Sequence, residues 1–283
     1  MSLSPFTANR RAAGYLPTLD GWRAVAIVLV LFAHASESIR NALPFLLPDD
    51  LSGLKKIGLF GVQLFFGLSG FLITSKLLEE ETRNGQISLR SFYIRRCFRI
   101  LPAALGFLLV VGLLSLAGVL DVGIGRWLST LFFAANYSTS EHSWYLGHFW
   151  SLAVEEHFYF LWPAAFLVLR VRQRRLALAL ALAVAVAIWR MVDFKFHITA
   201  STAAEFWGRT DIQADGILWG VCVALLAADP LWRARLRRWF APSYAWPLLC
   251  LVLLALQALP DTNWKLSFLL ISVKAMSSSE IGS

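Results

Sequence analysis

The chain has 283 residues, 58% of them hydrophobic and only 16% charged, with a net charge of +8. A soluble globular domain holds about 45–50% apolar and about 25% charged residues, so an ordinary soluble fold is excluded. Several apolar blocks approach the roughly 20 residues a helix needs to cross a bilayer, and three cysteines, Cys97, Cys222 and Cys250, lie too far apart for a disulfide framework or a metal site.

In chain order, residues 1–18 form a polar lead with Arg10 and Arg11, without a cleavable-signal pattern, and are expected in the cytoplasm. Residues 19–275 read as one membrane domain, an all-α polytopic helical bundle of about eight spans in the cell membrane. Spans are expected at about 21–38, 57–77, 100–120, 146–169, 176–189, 212–228 and 244–259. An eighth starts near Leu266 and is interrupted by the polar tail 276–283, as in a C-terminus cut short or shifted in frame; a genuine short tail is the alternative. Residues 125–137 are too short to cross and read as interfacial or re-entrant.

Arginine and lysine set the orientation. Residues 76–99 carry Lys76, Arg83, Arg90, Arg95, Arg96 and Arg99. Arg170, Arg172, Arg174 and Arg175 follow span four, and Arg233, Arg235, Arg237 and Arg238 follow span six. Basic loops after every second span predict a cytoplasmic N-terminus. No internal repeat breaks the domain.

Ionisable residues within spans cost at least a few kcal/mol each and mark candidate sites. In "LDGWRAVAIVLVLFAHA" (19–35), Arg23 and His34 lie about 16 Å apart along a helix. With Arg23 at the cytoplasmic interface His34 lies near mid-membrane, either as a general base or as a histidine satisfied by a neighbour. In "GLFGVQLFFGLSGFLIT" (58–74), Gly58, Gly61, Gly67 and Gly70 let a helix or a ligand approach closely, with Ser69 as a hydrogen-bond donor; helix packing alone explains the pattern. In "RSFYIRRCFRILP" (90–102), Arg96 and Arg99 share a helix face and fit either a phosphate or an anionic-lipid anchor. "HFWSLAVEEHFYFLWP" (148–163) carries Glu155 and Glu156 into an otherwise aromatic and aliphatic run. Arg209, Asp211 and Asp215 recur near the outer end of span six. Carboxylates facing lipid are untenable, so a polar cavity is expected inside the bundle, with His34 and His148 as further candidates to face it.

These blocks, in this order, resemble the acyltransferase-3 family of integral-membrane O-acyltransferases over about residues 15–255. "LDGWRAVAIVLVLFAH" resembles the family's opening block with Arg, ten residues and His. "GVQLFFGLSGFLIT", "FYIRRCFRILP", "HFWSLAVEEHFYFLWP" and "RTDIQADGILWG" resemble four later blocks. Any one is weak; five in order are specific. The resemblance implies transfer of an acyl group, most often acetyl, from acyl-CoA to a hydroxyl of a cell-envelope or exported glycan. It implies His34, Arg23 and Glu155 as catalytic residues. It implies Arg96, Arg99, Ser69, Gly70, Trp150, Glu156, Arg209 and Asp211 as substrate-binding residues. Acyl-CoA is then a co-substrate, with no resident cofactor, no metal and no nucleic acid. Three departures stand out: His157 replaces the family's usual Gln, Trp22 and Ala24 flank Arg23 in place of Leu and Gly, and the family's usual ten or so spans are not all present.

The chemistry expected of this arrangement starts with Arg96 and Arg99 meeting the nucleotide phosphates from the cytoplasm. His34 takes the proton of the acceptor hydroxyl as it attacks the thioester carbonyl, or forms an acyl-histidine. Arg23, Ser69 or amides beside Gly70 stabilise the oxyanion, and Glu155 orients His34 or holds a sugar hydroxyl. A proton-coupled transporter would also place Glu, His and Arg in spans, and a non-catalytic membrane scaffold is the remaining alternative.

Overall fold

A computed structural model describes residues 17–43, 45, 52–138, 144–196, 198–199 and 208–240. Among them the secondary structure is helical throughout. We number the helices α1 (Pro17–Ala42), α2 (Ser52–Asn84), α3 (Leu89–Leu116), α4 (Ile124–Leu131), α5 (Trp144–Gly147), α6 (Phe149–Val168), α7 (Arg172–Phe196), α8 (Thr210–Ala227) and α9 (Pro230–Phe240), with a 3₁₀ turn at Ala135–Tyr137.

Five of these helices contain stretches long and apolar enough to cross a membrane: Leu19–Ala42, Ile57–Asn84, Leu89–Leu116, Arg172–Asp193 and Thr210–Ala227. They coincide with the first, second, third, fifth and sixth expected spans. Helix α6 has the length, 20 residues, or about 30 Å, but its carboxylates and histidine keep it out of that group. The expected seventh and eighth spans and the polar tail lie outside the described residues. Helix α3 shows Leu105, Leu109, Leu113 and Leu116 largely exposed. In water such a stripe would be an aggregation hazard; in hydrocarbon it is the ordinary lipid-facing surface. The chain is a multi-pass membrane protein.

The arginine-rich loops are mostly helix. Helix α2 continues to Asn84, and α3 begins at Leu89, well before the expected start of span three near Ile100. "SFYIRRCFRILP" is therefore the first part of the span's own helix, with Pro102 inside it. Ser88 caps that helix, its hydroxyl accepting from the Ser91 amide at 3.3 Å, and Glu80 accepts from the Ser88 amide at 3.0 Å. The cap starts the helix early, because it satisfies an amide that would otherwise be orphaned.

The described residues divide into two compact units, one running up to Leu72 and resuming at Trp219, the other Ile73–Leu218. In the first, Leu19, Ala26, Leu64, Leu68, Phe71 and Ala224 form the core, joined by Trp22, Phe60 and Phe65. Glycines set the spacing there. A Cβ on Gly61 would lie 2.6 Å from the Ala26 carbonyl oxygen, and one on Gly58 would lie 2.5 Å from Ala33 Cβ. On Gly220 it would collide with the Gly67 carbonyl. The small-residue pattern of 58–70 is thus a packing device that draws backbones together, as in many membrane bundles.

In the second unit, Leu108, Val111, Ala135, Leu146 and Phe149 form a core. Along α6, Phe158 stacks on Trp162 and Trp162 meets Phe166 edge-on, and Trp162 Nε1 donates to Thr74 Oγ1 at 3.0 Å. Near the end of α6, Arg175 is buried, lies 3.5 Å over the Phe166 ring and donates through both Nη atoms to Glu81 at 2.6 and 2.7 Å. Its Nε serves the Phe166 carbonyl at 3.1 Å. This arginine ties the ends of α2, α6 and α7 together. Arg175→Leu should lower stability by about 3 kcal/mol, the low end for breaking a buried pair because Glu81 stays a third exposed. Thermal unfolding of the purified protein in detergent measures it; an unchanged midpoint contradicts the tie.

Candidate functional site

The polar residues of the second unit gather on α6, the 132–138 loop and the start of α8, joined by Arg96 of α3 and by Trp189 and Arg190 of α7. Helix α6 supplies Glu155, Glu156, His157 and Tyr159. Glu155 is buried and accepts from the Tyr159 hydroxyl at 3.0 Å, one helical turn away. The Arg96 guanidinium lies over the Tyr159 ring, 3.7 Å from its centroid. Glu156 is half-buried within the field of Arg96, and among the described residues its Oε1 is buried with no hydrogen-bond partner. A buried carboxylate oxygen without a donor is costly unless a ligand or water supplies one. The arrangement is one cation, two carboxylates and a tyrosine hydroxyl, with Glu156 Oε1 left without a donor.

The loop is held in place by its own chemistry. Helix α4 ends with the Ala134 amide on the Ser129 carbonyl at 2.7 Å and the Phe133 amide on the Thr130 carbonyl at 3.2 Å. This is a Schellman closure, with Phe133 in the left-handed region at φ 53° where glycine is usual. A non-glycine residue there costs roughly 1–2 kcal/mol. Arg126, also buried, donates to the Ala135 and Leu146 carbonyls, both at 3.2 Å. The 3₁₀ turn then presents Asn136, whose Nδ2 donates to Thr210 Oγ1 at 2.7 Å, and His157 Nδ1 lies 2.7 Å from the same oxygen.

Asn136 Nδ2 already donates to Thr210 Oγ1, so the Thr210 hydroxyl hydrogen is available to Nδ1, which accepts it in the neutral ring. A glutamine amide, the side chain that the resemblance implies at this position, offers the same hydroxyl an acceptor oxygen. His157→Gln should retain most of the parent's stability. His157→Leu strands the Thr210 hydroxyl, at about 1–3 kcal/mol. Thermal unfolding of the two variants side by side tests the reading; equal loss in both overturns it.

At the start of α8, Arg209 makes a bidentate pair with Asp211, at 3.0 and 2.7 Å. Asp211 also accepts from Trp189 Nε1 at 2.8 Å and from the Tyr137 hydroxyl at 3.4 Å. Asp215, one turn on, is buried against Arg190 Nη1 at 2.7 Å. Trp150 is half-buried beside Gly208: a Cβ on Gly208 would lie 3.6 Å from Trp150 Cβ. His148 is exposed, its ring edge-on to Phe107 at 5.0 Å. Arg99, three residues from Arg96, is exposed; the two arginines expected to act as a pair have different surroundings.

The other expected residues belong to the first unit. Arg23 is half-buried, 4.0 Å from Asp20 Oδ1 and 5.8 Å over the Phe65 ring. Ser69 and Gly70 are buried in α2. His34 is exposed, with Nδ1 2.8 Å from the Val30 carbonyl oxygen. Since the carbonyl accepts, Nδ1 carries the proton and the neutral ring presents Nε2 as a base.

Residues that pattern reading missed are Tyr159, Asn136, Thr210, Tyr137, Trp189 and Arg190. Tyr159 had a signal, its i+4 spacing from Glu155. Thr210 lay between Arg209 and Asp211; the others are brought in from distant positions and leave no local trace. Among the described residues, no cluster of His, Cys, Asp or Glu is suited to a metal ion.

Membrane-length helices and, within the second unit, paired carboxylates beside an arginine define the class: a multi-pass membrane protein with a built-in polar site. The family described as an acyltransferase domain matches residues 16–278, and the chain belongs to that family, acyltransferase-3. It is similar to the peptidoglycan O-acetyltransferase OatA of Listeria monocytogenes, 33% identical over 173 residues, covering 56% of this chain and 25% of the relative. It is also similar to the O-acetyltransferase OatA of Staphylococcus aureus, 30% identical over 232 residues, covering 75% of this chain and 35% of the relative. The chain thus spans between a quarter and about a third of the length of these curated relatives. No solved structure matches it.

Proposed function

We propose that the protein is a membrane O-acetyltransferase that moves an acetyl group from acyl-CoA to a hydroxyl of a cell-envelope glycan. The observation that carries this reading is the Glu155–Glu156 pair in a helix of membrane length. Glu155 is tied to Tyr159, while Glu156 Oε1 waits buried and unpartnered beside Arg96. A hydroxyl of the acceptor glycan other than the attacking one offers the donor that oxygen lacks. Arg96 supplies a positive charge near Glu156. Family membership supports acyl transfer, and the peptidoglycan named for the Listeria relative supports a glycan acceptor.

In this reading His34 Nε2 takes the proton of the attacking hydroxyl as the new C–O bond forms at the thioester carbonyl. The C–S bond then breaks, and coenzyme A leaves as the thiol with that proton. Arg23 and Ser69 are the donors assigned to the developing oxyanion. Exposed Arg99 is assigned to a coenzyme A phosphate. Membranes holding the protein, given acetyl-CoA labelled in the acetyl group, should transfer label to endogenous or added glycan. Proton-coupled uptake without transfer rejects the proposal.

The same reading places the N-terminus in the cytoplasm, with about eight spans and α6 as the fourth. Single cysteines at positions 86, 171 and 234 of a cysteine-free background should then be shielded from a membrane-impermeant maleimide in intact cells and react after lysis. Reaction of any of them from outside reverses the topology.

A further inference from the structure

We propose that α9 is a membrane-surface helix whose arginine face binds the phosphates of anionic phospholipid headgroups. The helix "PLWRARLRRWF" holds four arginines and no acid in 11 residues. What fixes its position is the corner before it. Helix α8, a membrane-length helix, ends at Ala227, and α9 starts at Pro230. The Asp229 carboxylate caps α9, accepting from the Leu231 amide at 2.9 Å, and the Arg233 amide returns to the Asp229 carbonyl at 2.8 Å. Arg233 Nε then reaches back to the Ala227 carbonyl, the last of α8, at 2.9 Å. With the corner hydrogen-bonded on both sides, α9 stays within a turn or two of the end of a span, at headgroup level.

The faces of α9 agree with that depth. Trp232 and Leu236, four apart, share one side and are half-buried. Arg235 and Arg238, three apart, share another and are exposed, with Arg235 also 5.0 Å over the Trp232 ring. Leu231, 74% exposed, stands between the arginines. An exposed leucine flanked by guanidinium groups is disfavoured in water but suits the boundary between phosphate and acyl chain, where the stems snorkel and the heads meet phosphate. Among phosphate ligands the bilayer is the one at hand, because a span end fixes the helix beside it, and each arginine near an anionic surface strengthens attachment about five-fold.

The test uses the full chain with Cys97, Cys222 and Cys250 replaced by Ala and a nitroxide attached at Ala234→Cys. It is reconstituted in nanodiscs of phosphatidylcholine alone or mixed with phosphatidylglycerol. The expected result is an immobilised spectral component in the phosphatidylglycerol discs that is small in phosphatidylcholine discs and is released by salt. Adding Arg235→Gln and Arg238→Gln should lower the immobilised-to-mobile ratio about thirty-fold, while Lys at both positions should keep it, since the attraction reads charge. Equal mobility in the two kinds of disc overturns the proposal. So does immobilisation in phosphatidylcholine discs on addition of coenzyme A, which assigns the arginines to a soluble nucleotide. If the Gln variant fails to fold, the salt titration decides: immobilisation that high salt leaves intact overturns the proposal.

Discussion

Replacing His34 by Ala is expected to lower acetyl transfer by at least a hundred-fold while the protein still inserts and accumulates. Loss of a general base costs about 10²–10⁴-fold. His34 is exposed on α1, so no core packing is lost with it and the folded protein should survive the change. The hydrogen bond from Nδ1 to the Val30 carbonyl holds the ring in one orientation and puts the remaining lone pair on Nε2. Asparagine separates this role from a positioning one: it keeps a side-chain N–H but has no basic nitrogen. Transfer of labelled acetyl per folded molecule should therefore be lost in His34→Asn as in His34→Ala. If the asparagine variant works at more than about a tenth of the parent rate, His34 is not the base.

The sequence was most readable where a local rule acts. Helix formation and the apolar spans follow from composition and length, and the close approach of Gly58 and Gly61 to α1 follows from small-residue spacing. The carboxylates Glu155 and Glu156 were conspicuous because lipid tolerates neither. Local rules failed at helix starts: α3 begins some eleven residues before the hydropathy rise, because Ser88 caps it and hydropathy does not see caps. They also failed wherever a partner comes from far along the chain. Nothing near Asn136 announces that it meets Thr210, 74 residues on. Nor does the run of arginines at 170–175 reveal that Arg175 turns inward to Glu81 and Phe166. Charge counting treats those arginines alike, although one is buried and its neighbours are not.

Arg96 and Arg99 pose the same problem at the candidate site, and separating them gives the second large expected effect. Equal spacing from the span makes both look like phosphate ligands. Arg96, however, is stacked on Tyr159 at 3.7 Å, and Tyr159 in turn donates to Glu155. A guanidinium so placed is a counter-charge for buried carboxylates. Arg96→Gln should therefore lower kcat at least ten-fold and lower stability by about 2 kcal/mol, with the KM for acyl-CoA changed by no more than about two-fold. Arg96→Lys should recover little of this, because lysine keeps the charge but loses the flat surface that lies on the ring. Arg99→Gln should do the reverse. Its stability should hold, since the side chain is exposed, while the KM for acyl-CoA rises about ten-fold or more, the loss expected for one charge-assisted contact to phosphate. Kinetics with acyl-CoA varied at fixed acceptor, set beside thermal unfolding of the same preparations, separate the two roles. A KM effect shared equally by both variants, with stability unchanged in both, would show that the arginines act as one phosphate clamp and that the stack on Tyr159 does not hold Arg96 away from the donor.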